Sequence, residues 1–360
     1  MLKTRERIGI YLIPKMEQKQ VTSVENIVGL TNLEEKDRLE LVQDVLSGNL
    51  VLNSDKVVQL LKLISSQTQP KPQEVINQEP RVFNNSIKKL INAMIQYNNM
   101  LWIGLSGREI VVSNSDGEMV KSFNAHTRSI FDFVIYNDLL YSCSADNTIK
   151  AWNSRYECVQ TITDHTDFVM TICTHNDLLV SACYNGTIRL HDKNGKLIKS
   201  FKTNHNARIN KMISYNGFLY THDTSGSIKT WDNEFNNSYT LGSNDRIWNE
   251  NMFIYNNYLV VSEKGGVQFW TNDSKGELFL EKRVNVSQNH TPKICMVNDR
   301  LYIVTGTHLF AFKDGEHNNK AVLITDKLDM CAGCVCAFNN MIIIRDEKSD
   351  ILFATGDIPR

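Results

Sequence analysis

The sequence has no long apolar run and no surplus of charge of either sign. No stretch of about eighteen apolar residues occurs in the 360 residues, so we expect no helix that spans a membrane. Lys and Arg number 39, and Asp and Glu number 40. This balance offers neither nucleic acid nor an anionic bilayer an electrostatic partner. No signal-peptide core follows Arg5 and Arg7, and we therefore expect a cytoplasmic protein.

The sequence also lacks the spacings that indicate a disulfide framework or an enzyme. Its eight cysteines follow no paired pattern, which suits a reducing compartment. No Gly-rich phosphate loop, G-x-S-x-G or H-E-x-x-H motif occurs, so we predict no catalytic residues and no cofactor. Cys331-x-x-Cys334-x-Cys336 supplies three zinc ligands, but the fourth would have to be a distant His such as His308 or His317, and packing of free thiols is the favoured interpretation. We therefore predict no metal.

One short phrase recurs seven times, and its most regular copy is LLYSCSADNTIKAWN at Leu139–Asn153. An Asn opens each copy, and successive Asn residues are 39, 39, 40, 40, 42 and 41 residues apart. They are Asn98, Asn137, Asn176, Asn216, Asn256, Asn298 and Asn339. Apolar residues of β-branched and aromatic type alternate with polar ones within each copy, which predicts strands. A strand-rich repeat near 40 residues is typical of a β-propeller blade.

The repeats resemble the WD-repeat family over about residues 81–360. The phrases end in equivalents of its Trp-Asp pair: Trp152-Asn153, His191-Asp192, Trp231-Asp232 and Trp270-Thr271. A His precedes three of the first strands, at His126, His165 and His205. In that family a His, a strand Ser or Thr, a turn Asp and the Trp form a buried hydrogen-bond chain. The resemblance implies this chain for His126, Ser142, Asp146 and Trp152. In the next repeat Asn185 and His191 replace the Asp and the Trp, and in the following repeat Ser225 replaces the Asp.

We therefore predict an all-β, seven-bladed propeller of WD-repeat type, preceded by a small α-helical N-terminal segment. Residues 1–64 form that segment in this prediction, because Thr31-x-x-Glu34 fits a capping box and apolar residues recur at helical spacing. Residues 65–80, rich in Pro and Gln, form a linker. Residues 81–360 form the propeller. Its last phrase lacks a fourth strand, so we expect residues 81–86 to complete the last blade and close the ring.

Residues 42–61 resemble the helical middle lobe of FERM domains. The resemblance rests on Asp44-Val45-Leu46-Ser47-Gly48 and Asn53-Ser54-Asp55-Lys56. It implies an adaptor that works at the cytoskeleton or the membrane cortex. An unrelated helical hairpin accounts for the same short pattern.

In propellers, the loops that enter the first strand and the turns that join the second and third strands cluster on one face. The third position after each His equivalent holds Ser129, Phe168, Arg208 and Trp248. The candidate residues of a partner-binding face are Arg128, Phe168, Tyr184, Arg208, Arg246 and Trp248. Aromatic and Arg side chains dominate binding energy at interfaces, although a few exposed aromatics are ordinary on any surface.

These patterns predict a non-catalytic protein–protein interaction scaffold or adaptor that docks a peptide or protein on the propeller face. The N-terminal helices are a candidate site for a second partner. Two alternatives stay open. The first is the cortical or cytoskeletal adaptor that the FERM-like lobe implies. The second is a substrate receptor of a ubiquitin ligase, although no F-box is recognisable.

Overall fold

The chain divides into two compact units, residues 1–77 and residues 78–360. The computed structural model describes residues 81–83, 87, 89–205, 207–242, 252–286, 292–297, 300–305, 308–313, 321–325, 335–339, 341–345 and 352–355. The predicted helical segment, the FERM-like stretch and the predicted linker lie outside these residues.

The described residues form strands in seven four-stranded antiparallel sheets. The first strand, β1 (Arg81–Phe83), belongs to the last sheet of the series. Six blades of four consecutive strands follow it. Blade 1 contains β2 (Ile91–Tyr97), β3 (Met100–Leu105), β4 (Glu109–Ser113) and β5 (Met119–Asn124). Blade 2 contains β6 (Ile130–Tyr136), β7 (Leu139–Ser144), β8 (Ile149–Trp152) and β9 (Cys158–Ile162). Blade 3 contains β10 (Val169–His175), β11 (Leu178–Cys183), β12 (Thr187–His191) and β13 (Leu197–Lys202).

The second half of the propeller continues this order. Blade 4 contains β14 (Ile209–Tyr215), β15 (Phe218–Asp223), β16 (Ile228–Trp231) and β17 (Asn237–Leu241). Blade 5 contains β18 (Met252–Tyr255), β19 (Tyr258–Glu263), β20 (Gly266–Asn272) and β21 (Leu278–Asn285). Blade 6 contains β22 (Lys293–Val297), β23 (Arg300–Thr305), β24 (His308–Phe312) and β25 (Val322–Thr325). The closing sheet contains β26 (Val335–Phe338), β27 (Met341–Arg345) and β28 (Leu352–Thr355), together with β1.

The predicted fold class requires correction. Among the described residues all regular structure is strand and none is helix, so the helical N-terminal segment has no support. Six blades, not seven, are continuous units of four strands. The seventh phrase forms three strands only, and the fourth strand of its sheet comes from the other end of the unit. The seven phrases are therefore not seven equivalent blades.

The closing sheet joins the two ends of the propeller unit. β1 pairs antiparallel with β28, with Arg81 opposite Ala354 and Phe83 opposite Leu352. An unpaired strand at this place would expose a row of backbone donors and acceptors that invites pairing with another chain. The β1–β28 ladder uses these groups within the chain.

Hydrophobic burial follows the position of a strand within its blade. The second strands have five buried residues in succession, because neighbouring blades cover both of their faces. The fourth strands of blades 1 and 3 are mostly exposed. Seven clusters of buried side chains each join two neighbouring sheets, and the series returns from the closing sheet to blade 1. Packing between blades therefore forms the core.

The Asn that opens each phrase has a structural reason. Asn137 and Asp138 form the two-residue loop between β6 and β7, with φ of 47° and 60°. Asn and Asp tolerate this left-handed region better than most residues, and the hairpin turn that matches strand twist requires it at both central positions. This pair forms the tight turn of the β6–β7 hairpin. It lies at the end of the blade opposite to the turn that joins β7 and β8.

Candidate functional site

A chain of buried hydrogen bonds fixes one end of blade 2. The ring of His126 precedes β6, and its Nε2 lies 2.8 Å from Oγ of Ser142. Its Nδ1 lies 2.9 Å from Oδ2 of Asp146, which also accepts the backbone N–H of Thr127 at 2.9 Å. The indole Nε1 of Trp152 donates to Ser142 Oγ at 2.8 Å. The structure thus brings together the four residues that the WD-repeat resemblance assigned to one chain.

The environment of Asp146 keeps its carboxyl ionised. Burial alone raises its pKa, but hydrogen bonds from His126, Thr148 and the Thr127 backbone outweigh burial and hold the pKa well below its usual range. Hydrogen bonds to a carboxylate favour the charged form. This charge therefore joins the loop before β6 to the turn after β7.

Blade 4 has the same chain, but its carboxylate comes from a position that sequence reasoning missed. His205 Nδ1 lies 2.8 Å from Oδ2 of Asp223, and Trp231 Nε1 donates to Thr221 Oγ1 at 2.9 Å. Ser225, which the sequence placed at the turn, donates its hydroxyl at 2.6 Å and its backbone N–H at 2.9 Å to Asp223 Oδ1. Burial raises the pKa of Asp223, but the bonds from His205 and Ser225 outweigh it and lower the pKa to about 2.

Blade 3 rearranges the chain. His165 Nε2 lies 2.9 Å from Ser181 Oγ, as in blade 2, but His191 stands where blades 2, 4 and 5 have Trp. His191 Nε2 lies 2.9 Å from Oδ2 of Asp164, the residue before His165. Asn185, at the turn position, accepts the backbone N–H of Thr187 instead. Burial, opposed by Asp164 and assisted by His191, lowers the pKa of His165 to about 4.

Blade 5 forms a corresponding chain of buried hydrogen bonds from different residue types, which sequence reasoning also missed. Gln268 Nε2 donates to Glu263 Oε2 at 2.8 Å, and Trp270 Nε1 donates to Gln268 Oε1 at 3.0 Å. All three side chains are buried. The sequence feature that could have indicated this chain is a Glu and a Gln five residues apart on two paired strands.

The hydrogen-bond chains place the first-strand loops beside the turns between the second and third strands. Backbone bonds complete this arrangement: Tyr184 N donates to Phe168 O at 2.8 Å, and Thr224 N donates to Arg208 O at 3.0 Å. In blade 2 the matching bond runs from Ala145 N to Ser129 O at 2.9 Å. The loops and turns therefore form one surface across blades 2, 3 and 4.

Four predicted face residues lie on this surface and form what we call the docking patch: Arg128, Phe168, Tyr184 and Arg208. The guanidinium carbon of Arg128 lies 5.7 Å from the ring centroid of Phe168. The Phe168 and Tyr184 rings meet edge to face, with centroids 6.2 Å apart and planes at 66°. Tyr184 is 49% exposed, and both Arg residues are exposed. The predicted residues Arg246 and Trp248 lie outside the described part of the chain.

An open depression of about 620 Å³ continues the docking patch from blade 3 to blade 4. Tyr184, His205 and Arg208 are among its lining residues. The other lining residues are Asn185, Gly186, Ala207 and Thr224. The patch thus presents an aromatic row that ends in a polar depression.

A network of first-strand side chains connects the three blades beneath this surface. Lys211 Nζ on β14 donates to Asp132 Oδ2 on β6 at 2.9 Å. Thr171 Oγ1 on β10 donates to the same oxygen at 2.7 Å. Burial alone lowers the pKa of Lys211, but the Asp132 carboxylate outweighs burial and raises it. Lys211 therefore stays protonated at neutral pH, and its bond to Asp132, together with that of Thr171, connects blades 2, 3 and 4.

Comparison with known proteins agrees with this geometry. A family model described as an IP5P C-F beta-propeller matches residues 134–231. The crystal structure of the WD40 beta propeller domain of Doa1 superposes with a TM-score of 0.62 at 11% identity. The match covers 78% of this chain and 98% of that chain. The chain folds as a WD-repeat β-propeller. The WD-repeat resemblance is thereby confirmed at the level of the fold.

The WD-repeat propeller fold leaves the specific function open. No curated protein matches the sequence. By contrast, 1442 solved chains match the structure, and so common a fold serves many functions. It is consistent with a scaffold for protein interaction and does not identify a partner.

Two further features of the WD-repeat propeller bear on the sequence predictions. Among the described strands and loops, no helix is long and apolar enough to cross a membrane. Cys336, one of three cysteines considered as zinc ligands, lies half-buried on β26 with its Sγ 3.1 Å from the carbonyl oxygen of Ala337. Cys331 and Cys334 lie outside the described residues.

Proposed function

We propose that this WD-repeat propeller is a non-catalytic adaptor that binds a protein partner through the docking patch. The observation that carries the proposal is the continuity of the patch. Arg128 contacts Phe168, and Phe168 contacts Tyr184. Tyr184 and Arg208 line the same depression. Aromatic and Arg side chains supply most of the energy at protein interfaces, and here they stand together on adjoining blades.

The charges of the docking patch favour a partner segment with an acidic side chain. Arg128 stands at one end of the aromatic row and Arg208 at the other, and both are exposed. Asp167 precedes Phe168 in the chain, and its Oδ1 accepts the backbone N–H of Phe168 at 2.8 Å. An extended peptide with an apolar residue against the aromatic rings and a carboxylate near either guanidinium matches this surface.

The network beneath the docking patch supports the same proposal. A binding surface loses less entropy on association when its parts are already fixed. Asp132, Thr171 and Lys211 connect the three blades that carry the patch, and backbone bonds hold Phe168 beside Tyr184. The patch is therefore pre-organised for a partner.

The experiment is affinity capture with the full chain as bait, with wild type compared with Tyr184→Ala and Arg208→Glu. We expect each variant to lose at least about tenfold of the captured partner, because truncating an interface anchor costs about 2 kcal/mol or more. Arg208→Lys should retain more partner than Arg208→Glu. Higher salt should weaken capture by the wild type.

The matched control is Phe279→Ala, which removes an aromatic side chain of similar exposure, 48%, from the outer strand β21. This variant should capture the partner as the wild type does. Each bait is also melted, so that loss of binding is separated from loss of folding. Equal capture by wild type, Tyr184→Ala and Arg208→Glu contradicts the proposal.

The alternatives with a FERM-like lobe or a ubiquitin-ligase receptor gain no support from the described contacts. A second partner on residues 1–64 and a cytoplasmic location also stay predictions from the sequence.

A further inference from the structure

Blade 3 leaves two buried imidazole nitrogens without a hydrogen bond. They are Nδ1 of His165 and Nδ1 of His191, and both side chains have no exposed surface. In blades 2 and 4 the equivalent Nδ1 of the first His contacts the chain's carboxylate at 2.9 and 2.8 Å. An unsatisfied buried polar atom costs about 1–3 kcal/mol, so the unpaired nitrogens require an explanation.

The Asp164 carboxylate lies against the unpaired Nδ1 of His165 and against the second ring nitrogen, Nε2, of His191. Oδ1 of Asp164 is 3.1 Å from His165 Nδ1, without the orientation of a hydrogen bond. Oδ2 of the same residue is 2.9 Å from His191 Nε2. One ligand atom from each of the three residues lies within 4.8 Å of the other two. Two imidazoles and one carboxylate thus converge on one point.

We propose that Asp164, His165 and His191 bind a divalent first-row transition-metal ion of the zinc class. Two His and one carboxylate are a ligand set that zinc accepts, with a fourth position left for water. The Asp164 side chain is 33% exposed, which gives the ion a path from solvent. The substitution of His for Trp at residue 191 replaces an indole donor with a metal ligand.

The present separations fit this assignment with small movements. Zinc bonds of about 2.0–2.1 Å in tetrahedral geometry place ligand atoms about 3.4 Å apart. His165 Nδ1 and His191 Nε2 are 3.1 and 2.9 Å from the Asp164 oxygens. An ion therefore needs the carboxylate to withdraw slightly, and the three ligand atoms, which lie within 4.8 Å of one another, to adopt this spacing.

The outer contacts of His165 match those of a metal ligand. Ligand imidazoles usually bond through their second nitrogen to a fixed group, which sets the ring orientation. His165 Nε2 lies 2.9 Å from Ser181 Oγ, so the ring is held with Nδ1 turned toward Asp164. The ligand positions are fixed by the blade itself.

The test is titration of the full chain, with any affinity tag removed, with Co²⁺ and with Zn²⁺ as a competitor. We expect one Co²⁺ per chain, with visible d–d absorption and no thiolate-to-cobalt charge-transfer band, and displacement by Zn²⁺. Two variants remove one ligand each. His191→Trp restores the residue that blades 2 and 4 use at this place, and Asp164→Asn keeps a hydrogen-bond acceptor for His191. Each should weaken Co²⁺ binding at least about tenfold.

The control is Asp177→Asn, which removes an exposed carboxylate from the hairpin of the same blade and should bind Co²⁺ as the wild type does. A second readout is the melting temperature, which Zn²⁺ should raise in the wild type and not in His191→Trp. Absence of saturable binding by the wild type overturns the proposal. Binding of Co²⁺ by His191→Trp and Asp164→Asn as tight as that of the wild type also overturns it. A thiolate charge-transfer spectrum would place the ion on cysteines and would overturn it as well.

Discussion

A single carboxylate decides how firmly each blade end is held, and blades 2 and 4 place it at different positions. Asp146 lies in the turn itself, whereas Asp223 is the last residue of the second strand. Both accept the Nδ1 side of the preceding His. Their carboxylates meet the equivalent ring nitrogen although the two positions differ by two residues within the repeat.

Substitution of these carboxylates tests their role. Asp146→Ala and Asp223→Ala should each lower the free energy of unfolding by about 1–3 kcal/mol, because each leaves buried donors unpaired. Ser225→Ala should cost about 0.5 kcal/mol, since Asp223 keeps its bonds from His205 and from the backbone of Ser227. Urea unfolding of the three variants measures this order. If Ser225→Ala lowered the free energy of unfolding as much as Asp223→Ala does, Ser225 and not Asp223 would be the residue that anchors the turn.

His222 is a buried imidazole with neither nitrogen hydrogen-bonded. Burial lowers its pKa to about 4, against about 6.5 in an unfolded chain. Between these values the unfolded state binds more protons than the folded state, so stability falls as pH is lowered from about 6.5 to about 4. His165, whose pKa is also lowered to about 4, contributes with the same sign.

His222→Leu should therefore stabilise the protein. Removal of the unpaired imidazole should raise the free energy of unfolding by about 1 kcal/mol at neutral pH. The loss of stability between about pH 6.5 and about pH 4 should also become smaller, because one of the groups that binds protons on unfolding is gone. Urea unfolding at several pH values measures both effects. A destabilised variant with an unchanged pH dependence would show that His222 has a partner and does not titrate in this window.

Reasoning from residue positions predicted the blade 2 chain and missed the carboxylates in the chains of blades 3, 4 and 5. The missed residues, Asp164, Asp223 and Glu263, occupy positions that carry no carboxylate in blade 2. A repeat pattern compares equivalent positions, whereas a hydrogen bond depends only on where the side-chain atoms meet. Compensation of this kind becomes visible only in three dimensions.

Neighbouring blades are joined at the opposite end by a repeated tyrosine bond. The residue before the hairpin Asn donates its hydroxyl to a backbone carbonyl in the hairpin of the next blade. The pairs are Tyr97 with Asp138 at 2.6 Å, Tyr136 with Asp177 at 2.6 Å and Tyr215 with Asn257 at 2.7 Å. His175 takes this position in blade 3 and bonds Ser214 of blade 4 at 2.8 Å.

Tyr136→Phe removes one such bond without changing the packing of the ring. We expect the free energy of unfolding to fall by about 1 kcal/mol, the net contribution of one buried hydrogen bond. Tyr156→Phe is the matched control, because no hydrogen bond is described for its hydroxyl, and it should change stability little. Thermal unfolding compares the two. Equal stability of Tyr136→Phe and the wild type would show that the bond between blades adds nothing.

The strands themselves were predictable, since alternating residues and hairpin Asn residues mark them directly. The tyrosine bonds were not, because an aromatic residue at the end of a strand also fits simple packing. Its polar partner lies about 41 residues ahead, and only the stacking of blades brings the two together.

At the scale of the whole molecule, the repeat predicts the circular series of sheets but not which sheets consist of four consecutive strands. Six blades do, whereas the closing sheet combines β26, β27 and β28 with β1 from the other end of the unit. The helical segment was expected from residues that the structure does not describe. The proposed function depends on the face where loops and turns of blades 2, 3 and 4 meet, and there the sequence predicted residues without showing which of them are in contact.

The most direct test of the docking patch is site-specific photo-crosslinking of the full chain in its native extract. A photoreactive amino acid replaces Tyr184 in the patch, and in a second protein it replaces Arg155, which is exposed in the turn at the opposite end of blade 2. We predict a crosslinked protein partner from position 184 and not from position 155, abolished by an added Arg208→Glu change. A partner crosslinked from position 155 and not from position 184 would contradict the proposed docking face.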